Sequence, residues 1–282
     1  MGASADILDL VSGLKSRGEA FALATVVRTV SMTAAKAGAK AVIRSDGSIS
    51  AGWIGGGCAR GAVLRAARDA LADGVARLVS VQPEDVLADR GVQAGDVRDG
   101  VRYARNMCPS QGTMDVFVEP VLPRPCVLVC GGSPVAVAVA DLAARFGFSV
   151  VVAADAADHA AFAEPEARVV GYEAGGLPQR ARFAVVATQG RGDKAALRAA
   201  LTVVDGYVSF VGSRRKAAAL REVLARAGVD TERLERLRAP AGLNLGAVTP
   251  EEIALSIVAE IIEVRRRGQA ALVHGPERSL KA

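Results

Sequence analysis

Apolar positions along this chain follow two different rhythms. Residues 6–16 carry Ile7, Leu8, Leu10, Val11 and Leu14 at helical spacing, which predicts an amphipathic helix. Two short apolar runs, Phe21–Val27 and Gly38–Arg44, predict strands separated by the polar stretch 28–36. A glycine-rich loop, Gly52–Gly57, then leads into a helix over Cys58–Asp73. That helix places Val63, Leu64, Ala67 and Leu71 on one face and Arg60, Arg65, Arg68 and Asp69 largely elsewhere. Leu78–Val81 and Met114–Val118 predict two further strands.

Pro120, Pro123 and Pro125 interrupt this pattern, and their fixed φ angles read as a stiff linker over Glu119–Pro125. Beyond it, strands and helices alternate. Strands are predicted at Val127–Val129, Ser149–Ala153, Val169–Gly171, Phe183–Ala187 and Tyr207–Val211. Helices are predicted over Val135–Phe146, around His159–Phe162, and over Lys194–Leu201 and Ala217–Ala227. Thr249-Pro250-Glu251-Glu252 combines a capping box with Pro at the first helical position and opens a helix to about Arg267. The whole reads as an α/β protein of two domains: an α/β domain over residues 1–122, and a Rossmann-like doubly wound parallel sheet over 123–282 with a loose tail after about residue 268.

Composition narrows the chemistry. Apolar residues make up 51% of the 282, ample for real cores. Lys plus Arg is 35 against 30 for Asp plus Glu, and the excess is spread along the chain rather than gathered in a stripe, so nucleic acid is not an expected partner. With only His159 and His274, a histidine-ligated zinc site or a Ser-His-Asp triad is disfavoured. Four cysteines are too few for a disulfide scaffold. No signal-peptide pattern and no apolar run of bilayer length is present, so the expectation is a soluble, cytoplasmic protein without a transmembrane segment.

Four loops could carry chemistry. Gly55-Gly56-Gly57-Cys58 precedes a helix whose first N–H groups are free to face an anion, and a cysteine there has its thiolate favoured, with Arg60 adding positive charge. Cys108 sits in the polar turn Asn106–Thr113, so it and Cys58 are candidate partners across one site, as soft ligands or as a sulfur relay. Gly131-Gly132-Ser133-Pro134-Val135-Ala136 occupies the place of a dinucleotide fingerprint, with Asp155 where a ribose-binding acid would stand. Ser133 replaces the second glycine, however, and Pro134 removes an N–H. Gly212-Ser213-Arg214-Arg215-Lys216 joins a strand end to a helix start and is a candidate phosphate site. Cys126 and Cys130 lie four apart on one face of a buried strand and read as core.

These motifs resemble a known family. Gly-Gly-Gly-Cys opening a helix, Cys-Pro-Ser-Gln-Gly-Thr before Asp115–Pro120, then Gly212–Lys216, then Gly242-Leu243-Asn244-Leu245-Gly246 before Thr249–Ile253 occur in this order. The chain is similar to the xanthine dehydrogenase accessory family, the XdhC, CoxI and CoxF group, over about residues 6–268. The resemblance implies a maturation chaperone rather than an enzyme. Such a chaperone binds molybdenum cofactor (molybdopterin or its cytosine dinucleotide form), protects it, supports its sulfuration and inserts it into a molybdenum hydroxylase. The partners implied are an apo molybdenum hydroxylase, a cysteine desulfurase-type sulfurtransferase and a second copy in a homodimer. On the same resemblance, Cys58 and Cys108 match the family's two cysteine motifs and are candidate soft ligands to molybdenum. Gly55, Gly56, Gly57, Gly131, Gly132, Ser133, Asp155, Gly212, Ser213, Arg214 and Arg215 complete the expected cofactor-binding set, in a cleft between the domains. No catalytic residue is assigned.

Departures from the family pattern carry information. Arg60 stands where many members have an acid, and Arg238-Ala239-Pro240 stands where many have a His; both favour anion binding over proton transfer. The Ser31–Lys36 segment lacks a Pro-rich form and points toward the carbon monoxide dehydrogenase branch. The alternative is an NAD(P)-dependent oxidoreductase built on the second domain, which lacks an evident acid–base group. A scaffold without a small ligand is the third reading.

Overall fold

The structure is a computed structural model and describes residues 2–109 and 111–274. The chain divides into two compact units, the first running to Pro123 and the second over Arg124–Gly268.

The first unit opens with helix α1 (Gly2–Ser16) and strands β1 (Phe21–Val30), β2 (Lys40–Arg44) and β3 (Ile49–Gly52). Helix α2 (Gly57–Asp73), β4 (Arg77–Gln82), the short α3 (Glu84–Asp89), β5 (Val97–Arg98), β6 (Val101–Arg105) and β7 (Thr113–Val121) follow. The seven strands form one sheet in the order β3-β2-β1-β7-β4-β6-β5, antiparallel except for the β4–β6 pair. Period-two alternation sends Ala22, Ala24, Val26, Val79, Val81, Met114, Val116 and Val118 to one face, beneath α2. Helix α2 meets that face with Ala59, Ala62, Val63, Ala66, Ala67 and Ala70, small side chains that let the helix lie close to the sheet. Gly74, left-handed at φ 76°, stops it. On the other face Ile7 and Leu14 of α1 pack with Phe21 and Val42.

The second unit contains β8 (Cys126–Cys130), α4 (Pro134–Arg145), β9 (Ser149–Ala154), β10 (Ala167–Val170), β11 (Ala181–Val186), α5 (Asp193–Val203) and β12 (Tyr207–Phe210). Helices α6 (Arg214–Arg226), α7 (Thr231–Glu235) and α8 (Pro250–His274) follow, with α8 belonging to this unit as far as Gly268. The five strands are all parallel, in the order β10-β9-β8-β11-β12. The α/β class and the Rossmann-like sheet are therefore as predicted. Every residue of β8 and β9 is buried, because alternate side chains feed two cores: α4 and α8 cover one face, α5 and α6 the other. The capping box at α8 is formed, with Thr249 N–H donating to Glu252 Oε2 at 3.1 Å and Glu252 N–H to Thr249 Oγ1 at 3.3 Å.

Three local expectations need correction. Glu119, Pro120 and Val121 are strand rather than linker, since β7 continues along β1 as far as Phe21↔Val121. Pro120 is tolerated because β4 pairs with β7 only as far as Val118, leaving that edge free. The tail expected after residue 268 is helical to His274, and its remainder lies outside the described residues. The fold also contains β3, α3, β5 and β6, elements too short or too polar to leave a periodic signal.

Candidate functional site

Gly55, Gly56, Gly57, Cys58 and Cys108 line one open pocket of about 280 Å³ in the first unit. Gly55 lies at φ 109°, a region closed to other residues without strain, and turns the chain from the end of β3 into α2. The N-cap of α2 is Gly56, which has no side chain to bond the first N–H groups, and no acid sits in the first turn. An uncapped helix start of this kind favours an anion. Cys58 is half-buried on the first turn of α2, and Cys108 is exposed; both are free thiols. Arg60 is exposed and is not part of the pocket lining.

Asn106 shapes the loop around Cys108. Its Oδ1 accepts from Cys108 N–H at 3.0 Å and its Nδ2 donates to Gly112 O at 2.6 Å, so one side chain clamps both ends of the turn. The backbone N–H of Asn106 donates to Gln82 O at 2.7 Å, tying the turn to the end of β4. Gly112 is required by contact: a Cβ there would overlap Met32 O and lie 2.7 Å from Thr33 Cγ2. The segment 31–34 is thereby brought in as a wall of the pocket through Thr33 and Ala34. Sequence reasoning missed Asn106, Gly112, Met107 and Met114 as site residues. Asn106 and Gly112 stand in the quoted motif, but their roles depend on chain closure.

On the opposite sheet face to α2, Gln82 Nε2 donates to Ser80 Oγ, and Ser80 donates to Asp115, which accepts from Arg28 Nε at 2.6 Å. This row spans three strands, from the exposed Arg28 to the buried Asp115, Ser80 and Gln82, and ends in Gln82 Oε1, which has no hydrogen-bond partner.

In the second unit the remaining residues lie at the carboxyl edge of the parallel sheet. Strand order reverses between β8 and β11, where a Rossmann fold opens its ligand crevice. Here the turn after β8 is crowded by the chain itself at Gly131 and Gly132. Gly131, at φ 112°, lies so near β11 that a Cβ would come within 2.5 Å of Ala187 O. The Asp158 side chain lies flat against Gly132 and is paired with Arg191 at 2.8 Å. The Ser133 hydroxyl is the N-cap of α4, accepting from Ala136 N–H at 3.2 Å, so it is a structural cap. Asp155 is exposed at the end of β9.

Ser213 likewise caps α6, accepting from Lys216 N–H. Lys216 pairs with the buried Asp193 at 2.5 Å and lies over the Phe210 ring. Burial would raise the Asp193 pKa, but Lys216, Thr188 and the Gly190 N–H outweigh it and hold the carboxyl below its ordinary value. Arg214 and Arg215 are exposed, and among the described residues neither has a hydrogen bond or ion pair. Cys126 and Cys130 are buried in β8, and burial pushes the Cys130 thiol up to about 12.

Comparison with known proteins places these features in context. The family model described as the XdhC and CoxI family matches residues 14–82, and the XdhC Rossmann domain matches 127–261. The uncharacterized protein YqeB of Escherichia coli (strain K12) is 31% identical over 265 residues, covering 91% of this chain and 46% of that protein. A probable xanthine dehydrogenase subunit from Bacillus subtilis (strain 168) is 30% identical over 174 residues, covering 55% of this chain and 47% of its own. The chain thus spans about half the length of these curated relatives. A crystal structure from Bacillus halodurans, titled a xanthine dehydrogenase, superposes with a TM-score of 0.61 at 18% identity, covering 98% of this chain and 71% of that one, which supports the fold.

Proposed function

The chain belongs to the XdhC and CoxI family, and on that footing we propose that it is an accessory factor in the maturation of a molybdenum hydroxylase of the xanthine dehydrogenase or carbon monoxide dehydrogenase type. In this reading it binds molybdenum cofactor, supports its sulfuration and passes it to the apo-enzyme. The carrying observation is the pocket that joins the uncapped start of α2 to two free thiols, Cys58 and Cys108.

The donor set fits such a cofactor. The free N–H groups at Gly57 and Cys58 suit an anionic group, and the two sulfurs suit a soft metal. At about 280 Å³ the pocket is at the small end for ligand sites, suiting the metal-bearing end of the cofactor rather than all of it. The cofactor itself would supply the molybdenum and its dithiolene sulfurs. The chain's part is to hold and orient that end, and to offer a thiolate that takes the outer sulfur of a donor persulfide while the donor's thiolate leaves. Arg214 and Arg215, unpaired and exposed, are the second unit's candidates for phosphate. Against the NAD(P) alternative stand the Asp158 carboxylate on Gly132, the capping role of Ser133 and the missing N–H of Pro134.

Mass spectrometry of ligand released from the purified chain separates these readings: pterin supports the accessory factor, NAD(P) the oxidoreductase. Arg214→Glu should weaken pterin binding. Cys58→Ser and Cys108→Ser should spare most binding but slow delivery of sulfurated cofactor to a client apo-enzyme. Client activation at the unmodified rate by both cysteine variants would overturn the role given to the thiols.

A further inference from the structure

We propose that the first-unit pocket is a binding site for a soft monovalent d10 metal ion, copper(I), held by Cys58 and Cys108 with the thioethers of Met107 and Met114. The observation is a concentration of sulfur. The chain has four cysteines and four methionines, and two of each line this one pocket. Met114 is 5% exposed, and its methyl end lies beside Gly55 at the turn into the helix that carries Cys58. Met107 and Cys108 are consecutive in the turn that Asn106 clamps at both ends.

The rest of the lining offers no carboxylate or imidazole donor to compete with the sulfurs. No Asp, Glu, His, Lys or Arg side chain lines the pocket among the described residues. Thr33 Oγ1 donates its proton to Ala35 O at 2.7 Å, Asn106 Oδ1 accepts from Cys108 N–H at 3.0 Å and Asn106 Nδ2 donates to Gly112 O at 2.6 Å, so the neutral oxygens here serve the loop's own hydrogen bonds. Magnesium and calcium require carboxylate or carbonyl oxygens, and structural zinc requires a tetrahedral set drawn from Cys, His and carboxylates. Among the described residues no cluster of three or more His, Cys, Asp or Glu is placed to hold a metal ion. Thiolates with thioethers form the donor set that selects copper(I), which accepts low coordination numbers.

Charge also balances. Binding releases one proton from each thiol to solvent, and one monovalent cation against two thiolates leaves a single negative charge. The uncapped N–H groups at the start of α2 are suited to offset it. No electron moves, so the metal must be supplied already reduced.

This inference shares two cysteines with the proposed function but does not depend on it. Its test uses the full chain freed of pterin, titrated anaerobically with copper(I) against a chromophoric copper(I) chelator. One copper per chain with a sulfur-dominated first shell by X-ray absorption is expected. Cys58→Ser and Cys108→Ser should each weaken binding at least about 100-fold, and Met114→Leu, which keeps the packing volume, about 10-fold. Circular dichroism checks that each variant is folded. Undiminished copper in the Cys58→Ser/Cys108→Ser double variant, a nitrogen- or oxygen-dominated shell, or equal competition by zinc overturns the proposal. Client activation and pterin release are measured separately, so loss of either reading leaves the other standing.

Discussion

Replacing Gly112 with alanine probes how the pocket wall is built. The added methyl would overlap Met32 O, lie 2.7 Å from Thr33 Cγ2 and lie 2.9 Å from the Met32 carbonyl carbon. Restoring an unstrained carbon–carbon separation of about 3.5 Å requires the 32–33 segment to retreat by nearly 1 Å. That retreat is resisted by the bridge between Met32 and Gln111, by the Thr33–Ala35 hydrogen bond, and by Ala35, which is anchored in the core. Overpacking against a held backbone costs about 1–3 kcal/mol, roughly a 1 M fall in the urea midpoint. Trp53 is the chain's one tryptophan and lies between β3 and Gly55, so its fluorescence follows unfolding of this unit. Because Thr33 and Ala34 line the pocket, the same variant should also alkylate several-fold faster at the half-buried Cys58. Gly57→Ala serves as the control: nothing lies within 4 Å of its Cβ position and its φ is ordinary, so on a helix it should be neutral or stabilising. Equal midpoints for Gly112→Ala and the parent would refute the claim that this glycine positions the wall.

Other consequences are measurable. Tyr207→Phe removes a 2.6 Å hydrogen bond to Glu260, whose same oxygen accepts from Gly242 N–H, and should cost about 1.5–3 kcal/mol in guanidinium unfolding followed by circular dichroism. Iodoacetamide at pH 8 should label Cys58 and Cys108 well before Cys126 and Cys130, because burial raises both core thiols; fast labelling of Cys130 in the folded chain contradicts this. The depressed Asp193 carboxyl contributes stability that is fully present above its ordinary pKa of 3.8 and is lost as pH falls through the lower folded value. Asp193→Asn should therefore be less stable than the parent at neutral pH, with the gap narrowing below about pH 4; a gap that stays constant on acidification would show that the carboxylate's charge is not what matters.

Local pattern alone determined much of this protein. The helices over 58–73 and 250–267, the parallel alternation after residue 126 and the buried pair Cys126 and Cys130 all follow from periodicity and capping residues acting over a few positions. The Gly55–Cys58 loop was legible for the same reason, since three glycines before a helix have a local meaning. The tertiary structure decided what those elements meet. It placed Cys108 in one pocket with Cys58, fifty residues away, where the sequence had made them only candidate partners, and it added Met107 and Met114, whose lone apolar sulfurs carry no sequence signal. It also gave Ser133 and Ser213 to helix caps and laid Asp158 on Gly132, closing a turn that reads as a nucleotide loop. Those outcomes depend on strand order and on loops closing against each other, and contacts between residues far apart in the chain leave no periodic trace within either segment.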